Sequence, residues 1–320
     1  MKPRRTRGAR DLLLGIDGGG TKTHAVITDS GLSILGEGVA GPSNPLRVGI
    51  SNAATAVREA FDKACADAGV QRADVVAAEI GLAGVKREDI RLRLREALSS
   101  LGIGSLEIVT DATIALFGAT GGKPGLVVIA GTGSICCGIN AQRKRACAGG
   151  WGPLAGDEGG GAWLARRALQ AVAHAADGRG PQTSLSKLAR AYFNVKEVDD
   201  LSTALYAPQM TNERLAGFGK RVIEAAQSGD AVAHRIISEA GRELGLAAAA
   251  VIQKLRMTRD SFQVAYVGGV FKAGEFVLGP LREEVLSVAP NAFLAPPQLA
   301  PAVAAAHMAR EHLRDFAVAV

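Results

Sequence analysis

The segment Leu12-Leu-Leu-Gly-Ile-Asp-Gly-Gly-Gly-Thr-Lys-Thr-His-Ala-Val-Ile-Thr-Asp29 holds an apolar run, a glycine cluster and an alternating run in direct succession. Leu12 to Asp17 and Thr23 to Asp29 read as strands, and Leu32 to Val39, following Ser30-Gly31, reads as a third. The three make an antiparallel meander whose first turn is Gly18, Gly19 and Gly20. Gly15 and Gly20 have the separation of a phosphate-binding P-loop, but Thr21 stands where its lysine belongs. A P-loop also opens a helix, whereas Thr23 to Asp29 alternates as a strand, so these glycine amides close a hairpin that can still approach an anion.

Working outward, Ser51 is a suitable N-cap for apolar residues at helical spacing (Ala53, Ala56, Val57, Ala60, Phe61, Ala64, Ala68), with Gly69 as the stop. A strand at Val75 to Leu82, a basic amphipathic helix over 87–100, a strand at Leu106 to Thr110 and a helix opening at Asp111 follow. Strands alternating with helices after a meander imply a mixed sheet with parallel pairs, hence an α/β domain. The pattern then restarts: Leu126 to Ala130 runs into Gly131-Thr132-Gly133-Ser134 and a second strand, Ile135 to Asn140, about 113 residues after the first copy. Such a repeat is the mark of a duplicated fold with a cleft between its halves. Helices are expected at 157–176, 183–193, 212–228 and 230–256, a buried strand at Gln263 to Val267 ending in Gly268-Gly269, and a last helix near 300–314 that packs back on the first half. The expected division is a disordered basic tail at 1–11, a first domain of 12–118 plus 300–320, and a second domain of 119–299.

Composition sets limits on the partners. The formal charge of +6 comes almost wholly from Lys2, Arg4, Arg5, Arg7 and Arg10, so the body is nearly neutral and is not built to grip nucleic acid or an anionic membrane. Leu12, Leu13 and Leu14 are too few for a signal peptide's apolar core, and no stretch approaches the roughly 18 apolar residues of a membrane span. Cys65, Cys136, Cys137 and Cys147 lack CxxC spacing and disulfide-scaffold density, which suits a reducing cytoplasm, with Cys147 read as a small buried thiol. The five histidines form no metal-ligand pattern.

Two amide-rich turns suit a triphosphate, with Asp17 placed to hold Mg²⁺ through water and Thr21 and Thr132 to donate to phosphate oxygens. Together with the third glycine turn at Gly268-Gly269, they resemble the phosphate 1, phosphate 2 and adenosine elements of the ATPase superfamily shared by sugar kinases, actin and heat-shock chaperones. Neither glycine cluster fits the dinucleotide fingerprint, because Cys136 stands at the third position after Gly131-x-Gly133. Within that superfamily the chain resembles the N-acetylglucosamine kinase family, grouped with the BadF/BadG/BcrA/BcrD ATPases. Gly149-Gly-Trp-Gly-Pro-Leu-Ala-Gly-Asp-Glu-Gly159 is similar to that family's sugar loop, and Leu215-Ala-Gly-Phe-Gly219 with Ala225-Ala-Gln-Ser-Gly-Asp230 to its helical lid near the adenine.

The resemblance implies two actin-like, RNase H-like α/β domains, each a mixed βββαβα-type sheet with flanking helices. It also implies an ATP- and Mg²⁺-dependent transfer of phosphate to the 6-hydroxyl of an amino sugar. Asp111 would face that hydroxyl as the base. Asn44, Gly150, Trp151 and Asp157 would contact the sugar. Gly18, Gly19, Gly20, Thr21, Lys22, Gly131, Thr132 and Gly133 would hold phosphate, and Ala216, Gly268 and Gly269 would line the adenosine site. Asp111 also has a physical case: it ends a strand at the carboxyl edge of a sheet, and the helix N-terminus it opens is expected to keep it ionised. Trp163 reads as packing, and Glu158 as a cap or a support for its neighbours. Ile135, where a polar side chain would have reached the sugar, leaves N-acetylglucosamine, glucosamine and N-acetylmuramate open, in that order. Iron–sulfur activators and ROK proteins need cysteine or helix-turn-helix features that this chain lacks, whereas a non-catalytic sugar-sensing ATPase stays compatible. The motifs leave the oligomeric state open, a homodimer included.

Overall fold

The structure, a computed structural model, describes residues 11–318, without the side chains of 315–318. The basic segment that precedes Asp11 lies outside the described residues. The chain divides into two compact units, Met1–Gly122 with Pro297–Val320, and Lys123–Pro296.

The first unit runs β1 (Leu12–Gly18), β2 (Thr23–Thr28), β3 (Ile34–Ala40), α1 (Pro45–Ala68), β4 (Val75–Leu82), α2 (Glu88–Ala97), β5 (Ser105–Thr110) and α3 (Asp111–Thr120). Its sheet has the order β3-β2-β1-β4-β5, with β1, β2 and β3 antiparallel and β1, β4 and β5 parallel. Leu14, Ile16, Ile27, Phe61 and Ile80 are fully buried between the sheet and α1. The helix α1 starts earlier than its periodicity suggests. Asn44 caps it by accepting from Leu46 N–H at 3.0 Å, Pro45 opens it, and Gly49, at φ 79°, kinks it just before the expected cap at Ser51.

The second unit runs β6 (Gly125–Ala130), β7 (Ser134–Ile139), β8 (Arg145–Gly149), α4 (Gly161–Ala176), α5 (Leu185–Phe193), α6 (Leu201–Leu205), α7 (Asn212–Gln227), α8 (Ala231–Leu255), β9 (Gln263–Val267), α9 (Glu275–Val288) and β10 (Phe293–Ala295). Its order, β8-β7-β6-β9-β10, repeats the first sheet strand for strand, with the same antiparallel and parallel partners. The duplicated α/β fold read from the two glycine turns is therefore present in both units. Four elements escape the sequence reading, α6 among them because its five residues are too few to show a helical period. β8 carries no β-branched residue, β10 has three residues only, and Gly279-Pro280 inside α9 gives a turn signal that the flanking apolar residues override.

The last helix, α10 (Pro301–Val318), belongs to the first unit and lies across β1. A methyl group on Gly15 would stand 2.0 Å from the Ala302 carbonyl oxygen and 2.4 Å from the Ala306 nitrogen, so glycine is what lets this helix seat against the strand.

Candidate active site

In the first unit the candidate residues gather where β1, β4 and β5 end, the edge at which open α/β sheets bind ligands. The Gly18–Lys22 turn closes with Gly19 N–H donating to the Lys22 carbonyl at 2.9 Å. Its underside is tied down: Ser43 and Asn44 N–H donate to the Gly19 carbonyl, and Ala83 N–H to that of Gly18. The buried Thr23 hydroxyl donates to the Gly41 carbonyl at 2.6 Å and is hydrogen-bonded to the Ser43 hydroxyl at 2.8 Å, so the loop before α1 and the glycine turn are one hydrogen-bonded body. A Cβ on Gly18 would lie 2.1 Å from Ser43 Oγ. Thr21 and Lys22 are exposed on the turn. Asn44 spends its carbonyl oxygen on the helix cap and on contact with Gly84 in the loop after β4. Arg47, which the sequence reading passed over, lays its guanidinium against Gly20. The signal was a lone arginine one turn after the cap, with nothing in its spacing to mark it.

Asp17 and Asp111 share this edge. Burial and then the Asp111 carboxylate push Asp17 up from 3.8 to about 6, against weaker opposition from His24 and Lys22. Burial also raises Asp111, although Ala112 N–H donates to its Oδ1 at 2.9 Å. Removal of water thus opposes the ionised form of Asp111 that the helix N-terminus was expected to favour, and it outweighs the amide. Its place in the helix differs too, because Thr110 is the cap, accepting from Thr113 N–H, and Asp111 is the first helical residue.

In the second unit the Gly131–Ser134 turn closes through Gly131 N–H to the Gly133 carbonyl at 2.9 Å. The first amides of α4 point at it, Gly161 N–H to the Gly131 carbonyl at 2.8 Å and Ala162 N–H to that of Thr132 at 3.0 Å. A helix terminus therefore supports this turn, which the hairpin reading left without one. Gly268, at φ 126°, sits so close that its Cβ would meet the Ala130 oxygen at 2.1 Å. The Ala216 carbonyl lies 3.2 Å from the position a Cβ on Gly161 would take. Gly131, Thr132, Gly133, Ala216 and Gly268 thus converge, with Gly269 the next residue and exposed.

The loop from Gly149 to Gly160 is bound to the same turn. Gly150 N–H donates to the Ser134 carbonyl at 3.0 Å, and Ser134 Oγ to the Glu158 carbonyl at 2.6 Å. Asp157, at φ 59°, turns its carboxylate against Gly133, whose Cβ would stand 2.2 Å from Oδ2, while Oδ1 accepts from Gly152 N–H at 3.3 Å. Burial raises the Asp157 carboxyl, and the Gly152 and Ser134 amides oppose it. Glu158 does not cap α4, whose cap is Gly160 without a side-chain bond. Trp151 is 76% exposed, and Trp163 packs beside the core with Arg167 over its ring. Ile135 lies beneath Gly150. Cys147 is neither buried nor a thiol: it is exposed and disulfide-bonded to Cys137. Its reading is corrected because the pairing of β7 with β8, which spacing along the chain hides, sets the two cysteines face to face.

A cavity of about 480 Å³ lined by Thr183, Ser184, Asp230 and Arg235 takes in none of these residues. Asp230 is fully occupied there as the α8 cap and as acceptor for Thr183 and Ser184. Among the described residues no cluster of three metal-ligating side chains occurs, and no helix is long and apolar enough to cross a membrane.

The sequence profile of the BadF/BadG/BcrA/BcrD ATPase family matches residues 14–309. The chain belongs to that family. An N-acetylmuramic acid/N-acetylglucosamine kinase of Clostridium acetobutylicum is 33% identical over 272 residues, 85% of this chain and 89% of the relative. An N-acetyl-D-glucosamine kinase of Dictyostelium discoideum is 30% identical over 313 residues, 94% and 98% of the two chains. Among solved structures, a candidate N-acetylglucosamine kinase of Chromobacterium violaceum superposes with a TM-score of 0.73 at 28% identity, covering 94% of this chain and 99% of that one.

Proposed function

We propose that this family member is an ATP-dependent amino-sugar kinase that transfers the γ-phosphate to the 6-hydroxyl of N-acetylglucosamine. The observation that carries the reading is the pair of carboxyls at one sheet edge, Asp17 and Asp111, beside a glycine turn held by buried hydrogen bonds. The names of relatives that span nearly the whole chain support the sugar class.

Phosphoryl transfer passes through a loose transition state, so most of the work is positioning. Asp111 orients the hydroxyl and takes its proton as the new P–O bond forms. Burial brings its affinity for a proton nearer the operating pH, which favours that role. Asn44, Gly150, Trp151 and Asp157 bind the sugar. The amides and hydroxyls of Gly18 to Lys22 and of Gly131 to Gly133 take the phosphate oxygens, and Ala216, Gly268 and Gly269 line the adenosine site. Two crowded carboxyls fit a divalent cation, which would relieve the repulsion that raises Asp17. Asp17 would hold Mg²⁺ through water, and the ion would supply neutralisation of the β- and γ-phosphate charge. Use of ATP fits a cytoplasmic home, with small molecules rather than nucleic acid or membrane as partners and a homodimer as the assembly to test.

ADP release by the purified protein with Mg²⁺ and ATP, measured against N-acetylglucosamine, glucosamine, N-acetylmuramate and glucose, tests the proposal. N-acetylglucosamine is expected to stimulate release most, and Asp111→Ala to abolish the stimulation. Stimulation by none of the four would leave an ATP-binding sensor as the better account.

A further inference from the structure

β8 is an edge strand, and not one of its residues, Arg145 to Gly149, is buried. Its only apolar side chains against the core among the described residues are the small, partly buried Ala146 and Ala148, and a strand that buries so little has a weakly specified register. Yet β8 leads straight into the Gly149–Gly160 loop, while its partner β7 starts at Ser134 in the phosphate turn. Between the two loops and the rest of the hairpin stands the disulfide, joining Cys137 and Cys147 at directly opposed positions with Cα atoms 4.2 Å apart. On its loop side lie the pairs Cys136↔Ala148 and Ile135↔Gly149, the bond from Gly150 to Ser134, and the bond from Ser134 Oγ to the Glu158 carbonyl. Cys147 is exposed on the edge strand and Cys137 is buried, so Cys147 is the half of the bridge that faces solvent.

We propose that the Cys137–Cys147 disulfide is a reversible thiol-exchange site, opened by small-molecule thiols, which sets the position of the Gly149–Gly160 loop relative to the phosphate turn. A thiolate attacks Sγ of Cys147, the S–S bond breaks, and Cys137 leaves as a thiolate that takes up a proton. A second thiol then attacks the mixed disulfide on Cys147, releasing the oxidised small molecule and a second protein thiol. The protein disulfide gains two electrons and two protons, and two small thiols become one disulfide. Cys65 and Cys136 stay outside the exchange, since both are buried and burial raises both thiols, Cys65 to about 11. The consequence for the sugar rests on the kinase reading. Opening the staple lets the edge strand fray, so the loop spends less time in its binding arrangement, and the KM for N-acetylglucosamine rises about fivefold while kcat changes less than about twofold.

The test separates the two claims. The protein is poised with oxidised glutathione or with dithiothreitol, and three quantities are read. Titration of the denatured chain should find two thiols in the first state and four in the second, matching the free and bridged cysteines. Acrylamide quenching of Trp151, isolated in a Trp163→Phe background, should change on reduction, since Trp151 lies four residues beyond Cys147. The KM for the sugar should rise as stated, and Cys147→Ser should show the reduced values in either medium. Four thiols after glutathione treatment, or full reduction with Trp151 quenching unchanged, would overturn the proposal. So would unchanged quenching and KM in Cys147→Ser. A redox-dependent quenching signal with no sugar turnover in either state would support the staple and count against the kinase.

Discussion

Replacing Asp17 by asparagine should make the free protein more stable at neutral pH while removing most of its activity. The carboxyl stands at about 6 in the folded protein against an ordinary value of 3.8. At 1.36 kcal/mol for each tenfold change in proton affinity, that displacement corresponds to about 3 kcal/mol against the ionised form, and partial access to solvent brings the usable figure to about 2 kcal/mol. The sign follows from proton counting. Between pH 4 and 6 the folded state holds a proton that the unfolded chain has released, so wild-type stability falls as pH rises through this window and the full cost is present above it. Asparagine keeps the shape without the charge. Thermal unfolding at pH 8 should therefore show Asp17→Asn melting about 5 °C higher, and at pH 4 the two proteins should melt within about 1 °C. Mg²⁺ with ATP should raise the wild-type melting temperature and largely fail to raise that of the variant, since the lost charge is the one the ion would use. A stability difference independent of pH, or a wild type more stable than the variant at pH 8, would refute the argument that burial and Asp111 strain this carboxylate.

Asp111→Asn should lower kcat by about 10²–10⁴-fold with the sugar KM within about threefold, measured by coupled ADP release. The acid limb of the wild-type kcat/KM profile should fall near pH 6, above the ordinary carboxylate range, because Asp17 and Asp111 titrate as a coupled pair. Gly268→Ala should raise the KM for ATP at least about tenfold at unchanged sugar KM, since its Cβ would strike the Ala130 carbonyl and its φ of 126° disfavours a side chain. Gly15→Ala should cost about 3 kcal/mol in urea unfolding, because α10 must back away from β1 to admit the methyl group.

The candidate residues differ in how much of them the sequence discloses. Gly18 to Lys22 and Gly131 to Ser134 are legible as turns because glycine clusters with strands on either side mark tight backbone reversals and close approaches. Asp111 is legible because a carboxylate at a strand-to-helix junction is a positional signal. Its titration was not, since the helix amide that favours ionisation is visible in the sequence and the burial that opposes it is not. Arg47 and Ser43 were missed for the same reason in reverse: they act by folding against Gly20 and Gly18, and contact across a turn leaves no period along the chain. The disulfide is the sharpest case, because ten residues separate Cys137 from Cys147 and only the register of β7 with β8 makes them neighbours.

The duplicated topology also accounts for equivalent turns being supported by unlike means. In the first unit the loop from Gly41 to Asn44 lies under the turn, and buried hydroxyls of Thr23 and Ser43 tie the two together. In the second unit the space is filled by the start of α4, whose amides meet the carbonyls of Gly131 and Thr132. A fixed polar network holds a turn rigidly, whereas a helix terminus adds a field that favours negative charge. The backbone around the second turn thus favours negative charge, against which the Asp157 carboxylate beside Gly133 must be set, and the first is the turn beside which Asp17 and Asp111 stand. Adding a negative charge near Gly133 should therefore weaken ATP binding more than adding one near Gly20, where Arg47 and Lys22 already stand. Nucleotide titration of Thr132→Glu and of Thr21→Glu, both exposed on their turns, would compare the two, and equal losses would mean that the helix terminus contributes nothing to the distinction.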